Sequence, residues 1–225
     1  MKKHNRLRLL ALGVPSLAIV PLAWIALHPG VDEMSYSPVG EPTLIAEKAV
    51  YEVDQLHGGI SFEIGHLELT NVHGRFNTYS GEVIENGEDL TKASVTFKIE
   101  TKSIDTAVAA RDEHLRSADY FEVEKYPAIT FVSRSVRKTD TGYAVTGDLT
   151  MKGKTKLITI PFKHYGPYTM SVGDQSTRIG VVAEPIVLKR SDFGVGEITR
   201  MPDGRLGGSD EVTIRLAFEA ILKKD

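Results

Sequence analysis

The chain has 225 residues and a formal net charge of −3, from 27 Lys and Arg against 30 Asp and Glu. Four of the basic residues (Lys2, Lys3, Arg6 and Arg8) stand in an acid-free first stretch of 30, so the remainder is mildly acidic, which excludes the basic face that nucleic-acid binding demands. The absence of cysteine excludes disulfides, thiolate metal sites, cysteine nucleophiles and a lipidated cysteine anchor.

The amino terminus reads as a targeting segment. A basic start, Met1 to Arg8, precedes the uncharged run Leu9 to Leu27, which is long for a signal peptide and close to the minimum for a membrane span. Residues 1–27 are therefore expected to be a signal or a membrane anchor. With positive charge inside, the rest of the chain is expected in the periplasm or another extracytoplasmic space, and residues 9–27 are the expected membrane contact. Residues 28–48, with Pro29, Gly30, Pro38, Gly40 and Pro42, read as a linker.

From Ala49 the period is two. Val95, Phe97 and Ile99 alternate with Thr96 and Lys98, and Val212, Ile214, Leu216, Phe218 and Ala220 alternate with Thr213, Arg215 and Glu219. Both patterns are strands with one buried face. Weaker strand signals cover 50–53, 59–68, 72–84, 128–137, 143–151, 156–165 and 177–188. Turn residues separate them at Asn86-Gly87, Asp140-Thr-Gly142, Lys152-Gly153 and Asp203-Gly204. Many strands without crossover helices predict a single all-β domain over 49–225, an antiparallel barrel of about eight strands, with a sandwich of similar strand count as the rival that periodicity alone does not separate.

One stretch breaks the period. Between Ser103 and Phe121 the chain turns helical, with Asp105 or Thr106 able to cap the helix. Asp112 and Arg116 are spaced to pair on its surface, while Arg111 and His114, three apart, can point together over a barrel rim. Further on, Arg190-Ser-Asp-Phe-Gly194 ends a strand before the glycine-rich run 194–208. There Arg190 and Asp192 could pair to order that run or could meet a ligand.

Catalytic signatures are absent: no nucleophile elbow, no phosphate-binding glycine loop and no dinucleotide fingerprint. His57, His66 and His73 are too far apart for a compact metal motif. No catalytic residue, metal or cofactor is expected.

The segments together resemble the YceI-like family, small periplasmic lipocalin-like barrels that bind polyisoprenoids. The likeness rests on an ordered set that begins with Val53-Asp54, His57, Ile60-Ser-Phe62 and His66, followed by Val72-His-Gly-Arg-Phe76 and Ser103-Ile-Asp-Thr106. It continues through Arg111-Asp-Glu-His-Leu-Arg-Ser-Ala-Asp-Tyr-Phe121, Tyr126-Pro-Ala-Ile-Thr-Phe131, Gly147-Asp-Leu-Thr-Met-Lys-Gly153 and Arg190-Ser-Asp-Phe-Gly194. It departs at Gly58, where the family usually has serine after the histidine, and at Met151-Lys152. The resemblance implies a lipocalin-like barrel with a short helix at its rim, holding an isoprenoid lipid (polyprenol, prenyl phosphate or isoprenoid quinone) for transport or storage. Phe62, Phe97, Phe131 and Phe218 are the candidate cavity wall. His57, His66, Arg111, His114 and Arg190 are the candidate rim, and Asp105 and Phe193 complete the ligand-binding candidates. A homodimer is left open. Two other readings stand beside this one. The first is a hydrolase- or isomerase-like enzyme on a lipid-like substrate, with His114 and Asp105 or Asp119 as acid and base. The second is a ligand-free structural or stress module.

Overall fold

The period-two segments close into a ring. The computed structural model describes residues 48–224, so the signal or anchor over 1–27 and nearly all of the 28–48 linker lie outside the described residues. In chain order the strands are β1 (Ala49–His66), β2 (Thr70–Phe76), β3 (Tyr79–Glu85), β4 (Ser94–Glu100) and β5 (Ile104–Asp105). Helix α1 (Ala109–Arg116) follows, then β6 (Ala128–Thr139), β7 (Gly142–Met151), β8 (Lys154–Thr169), β9 (Thr177–Ala183) and β10 (Ile186–Lys189). The one-turn helix α2 (Arg190–Phe193) and β11 (Gly208–Leu222) complete the chain. The order β11-β9-β8-β7-β6-β4-β3-β1 closes through a β1–β11 pairing, giving an antiparallel barrel of eight strands as expected. Among the described residues, no helix is long and apolar enough to cross a membrane.

The other three strands extend the barrel at one end, here called the upper end. The outer half of β1 pairs with β2 and the outer half of β11 with β10, while β5 borders β2. β2 and β3 are thus two halves of one bent strand, as are β9 and β10. The alternation over 72–84 and 177–188 spans both halves in each case, because a short break at Asn77-Thr78 or Glu184-Pro185 leaves the residue types unchanged.

Conversely, the separate signals at 50–53 and 59–68 belong to one strand. A bulge places Asp54 opposite Glu219 but Gly58 opposite Phe218, so Gln55, Leu56 and His57 loop out. Glycine is required at 58: a Cβ there would lie 2.9 Å from the Ala217 carbonyl oxygen and 2.9 Å from the Phe218 Cβ. The bulge reverses which parity faces inward, from Tyr51 and Val53 before it to Ile60 and Phe62 after it. A second bulge, between Ser133 and Ser135, does the same in β6, moving the inner face from Ile129 and Phe131 to Val136.

Two local expectations are corrected. Helix α1 is not capped by Asp105 or Thr106; it begins after Val108, with no side-chain cap. Ala107 has φ +61°, which breaks the helical path, and Asp105 accepts the Ala107 N–H instead. Nor do Asp112 and Arg116 pair. Asp112 is buried and accepts from the Thr106 N–H and hydroxyl, while Arg116 meets Glu113 and donates to the carbonyls of Lys102 and Ile104.

Candidate functional site

Inward-facing side chains do not fill the barrel. A lumen lined by Phe97, Phe131, Phe218, Ile160, Leu216 and similar residues leaves about 1090 Å³ free of atoms, counting the part open to solvent. Three phenylalanine rings are laid against the wall by glycines on neighbouring strands. The Phe97 ring covers Gly81, its cross-strand partner, where a Cβ would come within 2.7 Å of Phe97 Cδ2. Phe131 covers Gly147 and Phe62 covers Gly74 in the same way, with a Cβ on the glycine 2.6 Å and 2.2 Å from the nearest ring carbon. Glycine leaves a hollow in the sheet, and a ring lying in it stays out of the axis. Phe97 also stacks at 5.7 Å on Tyr79 and meets Phe218 at 5.5 Å.

Above the lumen lies a second space of about 1430 Å³ on the same measure, bounded by α1, α2 and the 194–208 segment. The two spaces share Leu188 and Ile214 in their walls. Phe62, Phe76, Phe121, Leu115 and Phe193 supply its apolar lining, and His66, Thr106, Arg111, His114 and Arg190 its polar one.

Arg111, His114 and Arg190 are each held in a defined way. Arg111 Nε donates to the Thr106 hydroxyl at 2.7 Å and Nη2 to the Thr106 carbonyl at 2.8 Å. Among the described residues its guanidinium meets no carboxylate. His114 Nε2 lies 3.2 Å from Asp119 Oδ2, and its ring stands edge-on to Tyr120 at 5.0 Å. Arg190 is buried and donates to four backbone carbonyls, those of Val195, Glu197, Gly208 and Ser209. The expected Arg190–Asp192 pair does not form; Asp192 faces Lys156 at 3.7 Å. Arg190 does order the glycine-rich segment, but through backbone carbonyls rather than a local charge pair.

The structure thus gathers Phe62, His66, Arg111, His114, Arg190 and Phe193 around the upper chamber, and Phe97, Phe131 and Phe218 around the lumen. His57 and Asp105 stand apart from both. Asp105 is on the outer side of β5, where the Ala107 N–H, Asn77 and Arg75 hold its carboxyl below the ordinary range. It is not beside His114. His57 lies in the β1 bulge, 2.7 Å from Asp54.

Asp54, His57 and Glu219 bring three potential ligand atoms within 4.8 Å of one another. Arg178 already fills that position: its Nη1 is 2.9 Å from Asp54, 3.4 Å from His57 and 3.0 Å from Glu219. A guanidinium there repels a metal cation, so the cluster reads as an ion-pair network. Burial works to raise Asp54, but hydrogen bonds from His57, the Leu56 N–H and Arg178 outweigh it and hold the carboxyl low.

Sequence reasoning passed over one lumen feature. Glu85, at the end of β3, and His164, in β8, face each other at 2.7 Å between Nε2 and Oε1, both side chains buried in the lumen's lower wall. Parity could have found them, since Ile158, Ile160, Phe162 and His164 share one face and Val83 and Glu85 another.

Comparison with known proteins agrees with this architecture. A YceI-like domain model matches residues 51–220. Protein YceI of Escherichia coli O157:H7 is 36% identical over 182 residues, covering 80% of this chain and 90% of that one. Among solved structures, a Campylobacter jejuni YCEI protein superposes with a TM-score of 0.58 at 29% identity, covering 71% of this chain and 90% of that chain. A polyisoprenoid binding domain from Saccharophagus degradans shares the fold with a TM-score of 0.55 at 16% identity, covering 77% and 98%. With its glycine-backed lumen, its helix at the rim and this sequence match over nearly all the described residues, the chain belongs to the YceI-like family.

Proposed function

We propose that this chain is an extracytoplasmic binding protein that holds an isoprenoid or similar long apolar lipid, for transport or storage. The chain of the lipid lies in the lumen and its head group in the upper chamber. The observation that carries this reading is the carbon-walled lumen beside a chamber lined by Arg111, His114 and Arg190, the two sharing Leu188 and Ile214 in their walls. Burying a methylene contributes about 0.8 kcal/mol, so ten sheltered carbons supply roughly 8 kcal/mol before ordering costs. That is the scale of micromolar binding, and a longer chain or a preformed lumen strengthens it. Arg111, which has no carboxylate partner among the described residues, suits a head that accepts hydrogen bonds, such as a phosphate, a hydroxyl or a quinone oxygen. The polyisoprenoid-binding description of the Saccharophagus degradans domain supports the same class of ligand. The basic start and uncharged run of residues 1–27 support export, with the membrane reached through that segment.

The test is organic extraction and lipid mass spectrometry on the full chain, expressed with its own amino terminus and purified gently. A stoichiometric prenyl lipid is the expected result. A lipid-free protein that also takes up no added polyprenol would leave the barrel as a ligand-free module.

A further inference from the structure

The lumen is lined almost wholly by carbon, yet its lower wall holds a carboxylate and an imidazole. Glu85 is 1% exposed, and its side chain makes one hydrogen bond among the described residues, to His164. That bond engages Oε1 and leaves Oε2 without a donor among the described residues. Whether the shared proton sits on the imidazole or on the carboxyl, Oε2 remains an acceptor. Oε2 is not sealed away, since the one fully buried side-chain polar atom without a partner among the described residues is the Tyr79 hydroxyl; Oε2 faces the lumen, where a carbon-walled space of low dielectric makes an unmet acceptor costly. Nearby, Tyr51 is also buried and makes no side-chain hydrogen bond among the described residues. Burial first, and then the Glu85 charge, push its hydroxyl up to about 12, so it stays protonated. Of these two residues only Glu85 lines the lumen, so its Oε2 is the hydrogen-bonding capacity at the lower end that the upper chamber does not serve.

We propose that the Glu85–His164 pair is a second polar station, at the lower end of the lumen, that binds a hydrogen-donating group (a hydroxyl or an N–H) on the leading end of an apolar chain. The proposal rests on the reading of the lumen as a chain-binding compartment and adds what that compartment selects. Carbon walls hold a chain without fixing its depth or direction. A single directional acceptor at the far end does both, because only a chain with a donor at its tip satisfies Oε2. Plain hydrocarbon tips and acceptor-only tips such as ethers leave it unmet. The same station lets one molecule be gripped at both ends, with a polar head against Arg111 above and a donor against Glu85 below.

The experiment compares dodecanol, dodecyl methyl ether and dodecane as competitors of Nile red bound to the delipidated full-length protein. Dodecanol is expected to bind about tenfold more tightly than the ether, the worth of one hydrogen bond to a charged group. In Glu85→Leu/His164→Phe the two are expected to compete equally. Replacing a buried pair by apolar residues of similar volume generally preserves the fold, and circular dichroism checks that it does. Glu85→Gln, which keeps shape and removes charge, is a second variant expected to shrink the preference. Equal competition by alcohol and ether in the wild type would overturn this proposal alone, leaving Tyr51 or water as the partner of Oε2. Failure of every probe, with no uptake of the dye, would overturn the lumen-binding reading along with it.

Discussion

Arg190 shows how one side chain can set the shape of a chamber. Its guanidinium is buried and reaches the Ser209 carbonyl from Nε at 2.9 Å, the Val195 carbonyl from Nη1 at 2.9 Å, and the Glu197 and Gly208 carbonyls from Nη2 at 3.0 and 3.3 Å. Gly196 gives the segment room to pass: with φ +69° it would place a Cβ 2.5 Å from Tyr120 Cε1 and 2.8 Å from Arg190 Nη1. Removing the guanidinium orphans several carbonyls at once, and each buried unmet group costs about 1–3 kcal/mol where water cannot reach it. Arg190→Ala is expected to lower stability by about 2–4 kcal/mol in urea denaturation. Arg190→Lys should recover less than half of that, since an ammonium cannot span four acceptors as a planar fork does. Full recovery by lysine would mean that charge, not geometry, holds the segment.

At the scale of elements, the glycine–phenylalanine pairs govern how much lumen remains. Phe97 lies flat only because Gly81 has no Cβ. Gly81→Ala should tilt the ring into the axis, costing about 1–3 kcal/mol of stability as overpacking does. It should also shift the retained lipid toward shorter chains, read by mass spectrometry of the extract. An unchanged chain-length profile in a folded variant would show that Phe97 does not limit the lumen. This design was half legible in the sequence. Alternation in β4 and β11 places Phe97 and Phe218 inward without ambiguity, because neither strand is interrupted where they stand. In β1 and β6 a bulge changes the inner parity midway, and nothing local in Gln55-Leu-His57 or Ser133-Arg-Ser135 announces it, since a bulge is decided by the partner strand. For the same reason His57, on the ordered motif, ends up in a loop outside the lumen. The helix was legible from Ala107, Ala109 and Ala110, all strong helix formers, but its start was not. Ala107 adopts φ +61°, and Asp112 reaches back to Thr106 from inside the first turn. Glu85 and His164 do not announce a pair in the sequence, because each is an ordinary polar residue in its own strand and only barrel closure brings them within 2.7 Å.

For the molecule as a whole, closure depends on pairing the first strand with the last, a contact of maximal sequence separation that must wait for the strands between them. The seam carries its own clamp. Arg178 of β9 donates at 2.9 Å to Asp54 of β1, at 3.0 Å to Glu219 of β11 and at 2.9 Å to Asp174 in the turn before β9. Two of these carboxyls sit below their ordinary value of 3.8. Asp174 falls to about 2, held by the Ser176 N–H and hydroxyl and then by Arg178, and Asp54 is lowered against its burial by His57, the Leu56 N–H and Arg178. A carboxyl depressed on folding stabilises the folded state fully above its unfolded value and loses that contribution as pH falls through its folded one. The seam should therefore weaken between roughly pH 4 and pH 2. Arg178→Met removes part of what depresses both groups, so it should lower the melting temperature at neutral pH and flatten the decline below pH 4. Salt should narrow the gap between wild type and variant, because Asp174 is open to solvent and its pair is screened. Thermal melts across that range, at low and high ionic strength, make the comparison. Curves that stay parallel down to pH 2 would place the barrel's acid sensitivity elsewhere than at the seam, whereas curves that converge would identify the clamp as the site where the closed lumen first opens in acid.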